Sequence, residues 1–444
     1  MNLIRDLLAF IEQSPTAFHA VQKSAEELEQ NGFLPLFEGE EWKLEAGKGY
    51  YVTRNQSALI AFRVPQQQPD HFLITASHTD SPMFKLKHNY VSLTSDRMQK
   101  LNTEVYGGTI LATWLDRPLS LAGRVILSQN GRFVAKNVNI DRDLLVIPSV
   151  AIHFNRTVNS GYAYNPAVDM LPLFSENESV TVRSLVASKL GCEESEIADM
   201  DLYVYNRAKG TTLGASNEFF SAPRIDDLAS LWGCLKGFLN VTATTSAVPL
   251  FYAADNEETG SMSRQGADSD FLLTVLDRIC EQFGADRRRL LAASMMLSAD
   301  NAHAKHPNHP ELSDAQNAPV MGGGVVIKLN AAQKYTTDAM SAALFAEICR
   351  ASDVPVQYYA NRSDLPGGST LGSISNTHVP ITSVDIGIAQ LAMHSSWETA
   401  HCRDMEYFVH AISTFYGSTL RAVRDGEYHL TCGENAGIKG DRHV

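Results

Sequence analysis

The sequence lacks any run of about 18 or more apolar residues, the length a helix needs to cross a bilayer, so no transmembrane helix is expected. It also lacks a block of Lys or Arg: 37 basic residues face 50 acidic ones, a formal charge of −13. An acidic chain without a basic cluster speaks against a dedicated nucleic-acid or anionic-membrane surface. The run Arg287-Arg288-Arg289 reads as a solvated helix face. No C-x-x-C pair occurs among the six cysteines (Cys192, Cys234, Cys280, Cys349, Cys402, Cys432). They read as buried thiols of a reduced, cytoplasmic protein, neither a disulfide framework nor a zinc knot. Asp6 and Glu12 interrupt the apolar stretch at the N-terminus, which reads as an amphipathic helix in place of a signal peptide.

What is present fits a globular chain. Its 444 residues are 44% hydrophobic and 20% charged, which excludes wholesale disorder and allows two or three domains or one elaborated domain. Leu3, Ile4, Leu7, Leu8 and Ile11 share one helical face. Ser14-Pro15 suggests a cap and first position for a second helix carrying Phe18, Val21, Ala25 and Leu28, with Gly32 as its stop. Ala58–Val64 and His71–Ala76 read as strands. From about residue 87 to 224, short segments such as Tyr90–Leu93, Gly123–Leu127, Phe133–Val138 and Ala151–Phe154 are separated by Gly, Asn and Asp, the texture of a β-rich insertion. Ser188–Ile197 suggests a short helix near its exit, and Asp201–Val204 a strand.

Beyond it an α/β rhythm returns. Helices are expected over Leu228–Leu239, Phe271–Phe283, Asp338–Ala351 and roughly Arg403–Arg424. Strands are expected over Val248–Ala254, Ala292–Ser298, Pro355–Tyr359 and Ile381–Ile386. The fold class is therefore α/β: a mixed, mostly parallel sheet covered by helices on both faces. The expected organisation is a discontinuous catalytic domain (1–86 and 225–444) split by the insertion (87–224).

Ligands of such sheets gather beyond the carboxyl ends of strands. There the sequence places His78 and Asp80, Glu257 and Glu258, Asp300 and, near another strand end, His394, while Asp226 and Asp227 precede a helix. His nitrogen and carboxylate oxygen suit divalent zinc. Adjacent glutamates allow one to bind metal while its neighbour serves as general base. Singly, each element reads as a turn, a cap or a core histidine; jointly they point to a metal centre.

Five ordered motifs carry a resemblance: Ser77-His78-Thr79-Asp80-Ser81-Pro82, Pro223-Arg224-Ile225-Asp226-Asp227-Leu228, Asp255-Asn256-Glu257-Glu258-Thr259-Gly260-Ser261, Ser298-Ala299-Asp300-Asn301-Ala302-His303 and Leu391-Ala392-Met393-His394-Ser395. They resemble the aspartyl aminopeptidase family of co-catalytic zinc metallopeptidases over essentially the whole chain. The resemblance implies two divalent ions per subunit, zinc foremost with manganese or cobalt as alternatives. Asp226 would be shared by both ions, His78 and Asp300 would complete one site, and Glu258 and His394 the other. Glu257 would be the general base, and Asp80 would orient His78. His153 would reach a neighbouring subunit's site, and Lys328 would pair with an acidic first residue of the substrate.

The implied activity is removal of the N-terminal residue, Asp, Glu or a neutral one, from short peptides. The implied assembly is a homododecamer, with the insertion as lid and oligomerisation surface. Three departures lie near the substrate pocket: Asp227 where asparagine is usual, Asn330-Ala331-Ala332-Gln333-Lys334-Tyr335, and Ser396-Trp397-Glu398. The rival readings are a carboxypeptidase or deacylase on a related fold, and a non-catalytic self-assembling scaffold.

Overall fold

The computed structural model describes residues 2–94, 96–241 and 244–432. The amphipathic helix Asn2–Gln13 buries Ile4, Leu7, Phe10 and Ile11. The next helix, Ala17–Gln30, starts at Thr16 as its N-cap, two residues later than the Ser14-Pro15 signal, which sits in the connecting turn. Phe18, Val21 and Leu28 face inward, and Gly32 reverses the chain at φ +81°.

A nine-stranded mixed sheet organises the chain. Its centre is four parallel neighbours, in the order Ala247–Ala254, His71–His78, Met295–Ala299 and Thr382–Gly387. The first three of these are buried along their whole length, as expected of parallel strands covered on both faces. Leu34–Leu36, Gly49–Arg54 and Ala58–Arg63 extend one side; Val325–Leu329 and Val356–Ala360 extend the other. Five of the eight pairings are parallel, which is the mixed, mostly parallel α/β sheet expected from the sequence.

Helices Ile225–Leu239, Ala339–Ala351 and Cys402–Gly417 pack with the two N-terminal helices on one face. Phe271–Phe283, Arg287–Ala292 and Leu371–Ser375 cover the other. Phe62, Phe72, Phe251 and Phe271 are fully buried, each contributing roughly 1.5–3 kcal/mol of transfer free energy. Gly237 lets two helices cross closely: a Cβ there would lie 2.3 Å from Ile412 Cγ2.

A six-stranded antiparallel sheet forms the β-rich part, in the order Arg132–Asn139, Leu119–Gln129, Ile197–Asn206, Met83–Leu93, Gln99–Tyr106 and Leu173–Ser175. Phe84, Trp114, Leu121, Ile147 and Val204 fill its own core. The hairpin Thr211–Leu213 and Phe219–Ala222 then pairs with Glu398–His401 in a separate small sheet.

Several segments differ from expectation. Ala151–Phe154 is an exposed turn in place of a strand. The helix near 190 is Val182–Leu190, fixed by a Thr181–Ser184 capping box and Gly191 in the left-handed region, and the strand after it is longer, Ile197–Asn206. Ala292 ends a short helix, so its strand begins at Met295. The last helix stops at Gly417, and Thr419–Arg424 pairs with Glu427–Thr431 as a hairpin. All six cysteines are unbonded, and no helix among the described residues is long and apolar enough to cross a membrane.

Candidate active site

The carboxyl ends of the central strands deliver the chemistry. His78 is the last residue of His71–His78, and Asp80 follows two residues on. Glu257 and Glu258 form a short turn after Ala247–Ala254, entered through Asn256 at φ +59° and left through Gly260 at φ +97°. Asp300 follows Met295–Ala299. His394 lies beyond Ala389–Leu391 with φ +66°. Asp226 sits at the head of Ile225–Leu239 but is non-helical, φ −83° and ψ 110°, so its side chain leaves the helix axis. The preceding Arg224 is buried and donates to the carbonyls of Ile11, Ser14 and Asn206, tying this turn to the end of the first helix.

Five expected residues converge. Asp226 turns one carboxylate oxygen to each imidazole: Oδ1 lies 3.4 Å from His78 Nε2 and Oδ2 lies 3.4 Å from His394 Nε2. Asp300 Oδ1 is 4.0 Å from His78 Nε2, and Glu258 Oε2 is 3.5 Å from His394 Nε2. Ligand atoms of His78, Asp226, Asp227 and Asp300 all lie within 4.8 Å of one another, as do those of Asp226, Glu258 and His394, and those of His78, Glu257 and Glu258.

The surrounding hydrogen bonds fix these groups. His78 Nδ1 is 3.2 Å from the Asp80 carbonyl and 3.4 Å from Asp80 Oδ1. The Asp80 carboxylate also accepts the backbone N–H of Glu257 and of Glu258, each at 3.2 Å, and the Tyr106 hydroxyl at 2.7 Å. His394 Nδ1 donates to the Gly108 carbonyl at 3.0 Å. Buried Glu398 accepts the N–H of His394 at 2.8 Å and of Asp226 at 3.1 Å, and Gln390 Nε2 at 3.3 Å. Lys328 donates to Asp300 Oδ2 and the Asn301 carbonyl, both at 3.2 Å, and lies over the Tyr335 ring.

Charge is crowded. Burial alone would lower His78, but Asp227, Asp226 and Asp80 hold it well above the ordinary imidazole value. Burial likewise opposes His394, yet Asp226 raises it to about 9. Burial, opposed by His78 and reinforced by Asp300, Asp80 and Asp226, pushes Glu257 up to about 8. Burial and Asp226 push Glu258 well up.

The donor set fits divalent zinc. Imidazole nitrogens and carboxylate oxygens are its ordinary ligands, and Asp226 Oδ1 and Glu258 Oε1 are buried without a hydrogen-bond partner. Five clustered carboxylates need a cation to offset them, and Lys328 engages Asp300 alone.

A cleft of about 180 Å3 opens beside the cluster, walled by His303, Lys328, Tyr335, Tyr359, Met393 and the Gly368–Thr370 loop. His153 is outside it, on the exposed turn of the β-rich part, flanked by exposed Val150, Ile152 and Phe154. His306 and His309 lie side by side, their rings tilted 40° to each other, on an exposed loop. Sequence reasoning missed Tyr106, Gly108 and the clamp by Glu398. The Tyr106-Gly107-Gly108 run was the visible signal for the first two, since paired glycines after a strand mark close backbone approach, whereas Glu398 stood out only as part of the Ser396-Trp397-Glu398 departure.

An α/β sheet whose carboxyl edge gathers two histidines and a surplus of buried carboxylates is the architecture of a metal-dependent hydrolase. The sequence model of Aminopeptidase I zinc metalloprotease (M18) matches residues 10–416, and the chain belongs to this Peptidase M18 family as a metalloaminopeptidase. The family resemblance read from the five motifs is thereby borne out. The chain is 44% identical over 432 residues to the probable M18 family aminopeptidase 2 of Clostridium novyi (strain NT), covering 94% of this chain and 99% of that protein. It is similar to a chain of the Ape4 and Nbr1 complex, with TM-score 0.90 and 36% identity over 93% of this chain and 85% of that one. It is also similar to the "S. cerevesiae mApe1 dodecamer", with TM-score 0.82 and 27% identity over 93% and 95% of the two chains.

Proposed function

We propose that the protein removes the N-terminal residue of short peptides with two divalent ions, zinc foremost, held by His78, Asp226, Asp300, Glu258 and His394. The observation that carries this is Asp226, whose two carboxylate oxygens face two different histidines, each of which has a further carboxylate beside it. His78 and Asp300 serve one ion, Glu258 and His394 the other, and Asp226 both. When bound, the ions supply Lewis acidity in the cleft. Glu257 takes the proton of the attacking water and returns it to the departing amine. Asp80 holds His78 and the turn bearing Glu257 and Glu258 in register.

The first residue is Asp or Glu if Lys328 reaches its carboxylate. The engagement of Lys328 by Asp300 and Asn301 favours a second reading, a neutral first residue. The β-rich insertion, 87–224, serves as lid and assembly surface for a catalytic unit drawn from both sides of it. The exposed apolar turn around His153 supports a dodecamer like that of mApe1, with His153 acting in a neighbouring subunit's cleft. Six unbonded thiols suit a reducing, cytoplasmic setting.

The test is release of first residues by zinc-loaded protein from peptides beginning with Asp, Glu, Leu or Ala, with the amine free or acetylated. Cleavage only with a free amine is expected. Cleavage of acetylated peptides, or dependence on a free carboxylate in place of the amine, would overturn the reading.

A further inference from the structure

Tyr106 ends the strand Gln99–Tyr106 of the antiparallel sheet, yet its hydroxyl reaches two residues beside the metal cluster, Asp80 and Asn256. It donates to Asp80 Oδ2 at 2.7 Å and accepts from Asn256 Nδ2 at 2.8 Å. Both partners adjoin the Glu257–Glu258 turn. Asp80 accepts both backbone N–H groups of the glutamate pair. Asn256 immediately precedes the pair, and its side-chain oxygen is fixed by Ser263 and Gln265. The ring itself packs edge-on against Tyr203 with centroids 5.6 Å apart, so the hydroxyl has a defined position.

The next residues continue the contact. A Cβ on Gly107 would lie 3.1 Å from Glu258 Cβ. The Gly108 carbonyl accepts from His394 Nδ1, which leaves Nε2 directed at Asp226 and Glu258. Thr109 Oγ1 and the Ile110 N–H both donate to the His394 carbonyl, and Trp114 Nε1 holds Thr109 in turn.

We propose that Tyr106 is a positioning residue, through which the antiparallel sheet sets the Glu257–Glu258 turn and the glycine turn after it seats His394. This rests on the aminopeptidase reading. Tyr106 acts on no substrate atom; it orients Asp80 and Asn256, and they orient the pair that binds metal and moves the proton. A hydroxyl bonded to two holders of one turn does what partners behind metal ligands do, where replacement costs about 10–100-fold in metal affinity or activity.

The test compares Tyr106→Phe with Tyr203→Phe, which preserves the same edge-on ring pair and removes a hydroxyl that hydrogen-bonds to none of these groups. Both are purified full length, and three quantities are measured: zinc affinity by competition with a chromophoric chelator, the urea midpoint of the zinc-free protein, and kcat and KM on a free-amine peptide. Tyr106→Phe should bind zinc about 10–100-fold more weakly and lose kcat by at least about tenfold with KM nearly unchanged. Its zinc-free midpoint should match that of Tyr203→Phe, which keeps parental zinc affinity and kcat. Parental zinc affinity and kcat in Tyr106→Phe would overturn the proposal. So would losses shared by both variants, or losses tracking a lowered midpoint, because those report packing. If the parent itself releases no residue, the aminopeptidase reading fails, and the zinc comparison still decides the role of Tyr106.

Discussion

Replacing Lys328 by Met isolates the cation beside Asp300. The ammonium is 2% exposed, 3.2 Å from Asp300 Oδ2 and equally far from the Asn301 carbonyl. Met fills the stem's volume without donating. At an effective dielectric near 20, a 3.2 Å pair is worth about 5 kcal/mol before desolvation, and breaking one partner of a buried pair costs about 3–5 kcal/mol. The zinc-free protein should therefore lose about 3–5 kcal/mol in urea unfolding. The zinc-loaded protein should lose distinctly less, because an ion beside Asp300 replaces the missing charge. A zinc-free loss under about 1 kcal/mol would refute the pairing. The same variant decides specificity: a fall confined to Asp and Glu peptides assigns Lys328 to substrate, whereas an equal fall for Ala and Leu peptides assigns it to Asp300 alone.

Glu398→Gln leaves one acceptor oxygen where two oxygens now accept the N–H groups of Asp226 and His394, and should weaken zinc binding by about tenfold or more in chelator competition; parental affinity would contradict the clamp. Gly237→Ala should destabilise the fold by about 1–3 kcal/mol in urea, since its Cβ meets Ile412 Cγ2 at 2.3 Å; an unchanged midpoint would show that the helices can part without loss. Burial and Arg224 hold His19 down at about 4, so the folded state disfavours its protonation. That stability is complete above the unfolded value near 6.5 and is lost as pH falls toward 4, up to about 3 kcal/mol. His19→Gln should flatten the fall in stability between pH 7 and 4.5, and parallel curves would contradict the assignment.

The elements legible in the sequence were those whose pattern is local. Val248–Ala254 and Phe271–Phe283 could be read from an apolar run and a helical period, and the structure has Ala247–Ala254 and Phe271–Phe283. Most metal-type residues were legible because they sit at the ends of apolar strands, and Asp226 because it precedes a helix. What stayed hidden depends on contacts across the chain. Tyr106 and Asp80 are 26 residues apart, and Gly108 and His394 are 286 apart, so no period or spacing links them. The end of the last helix was missed because Thr419–Arg424 still carries alternating apolar residues, which suit the hairpin with Glu427–Thr431 as well as a further helical turn. Ala151–Phe154 looks like a strand by composition, but its apolar side chains lie exposed on a turn.

The central claim is that Glu257 moves the proton while its neighbours hold the metal. The direct measurement is kcat of Glu257→Gln on a free-amine peptide, with zinc counted in the same sample. The account predicts two zinc ions per chain, as in the parent, and a kcat lower by about 10²–10⁴-fold. Turnover within about tenfold of the parent at equal zinc content would contradict it.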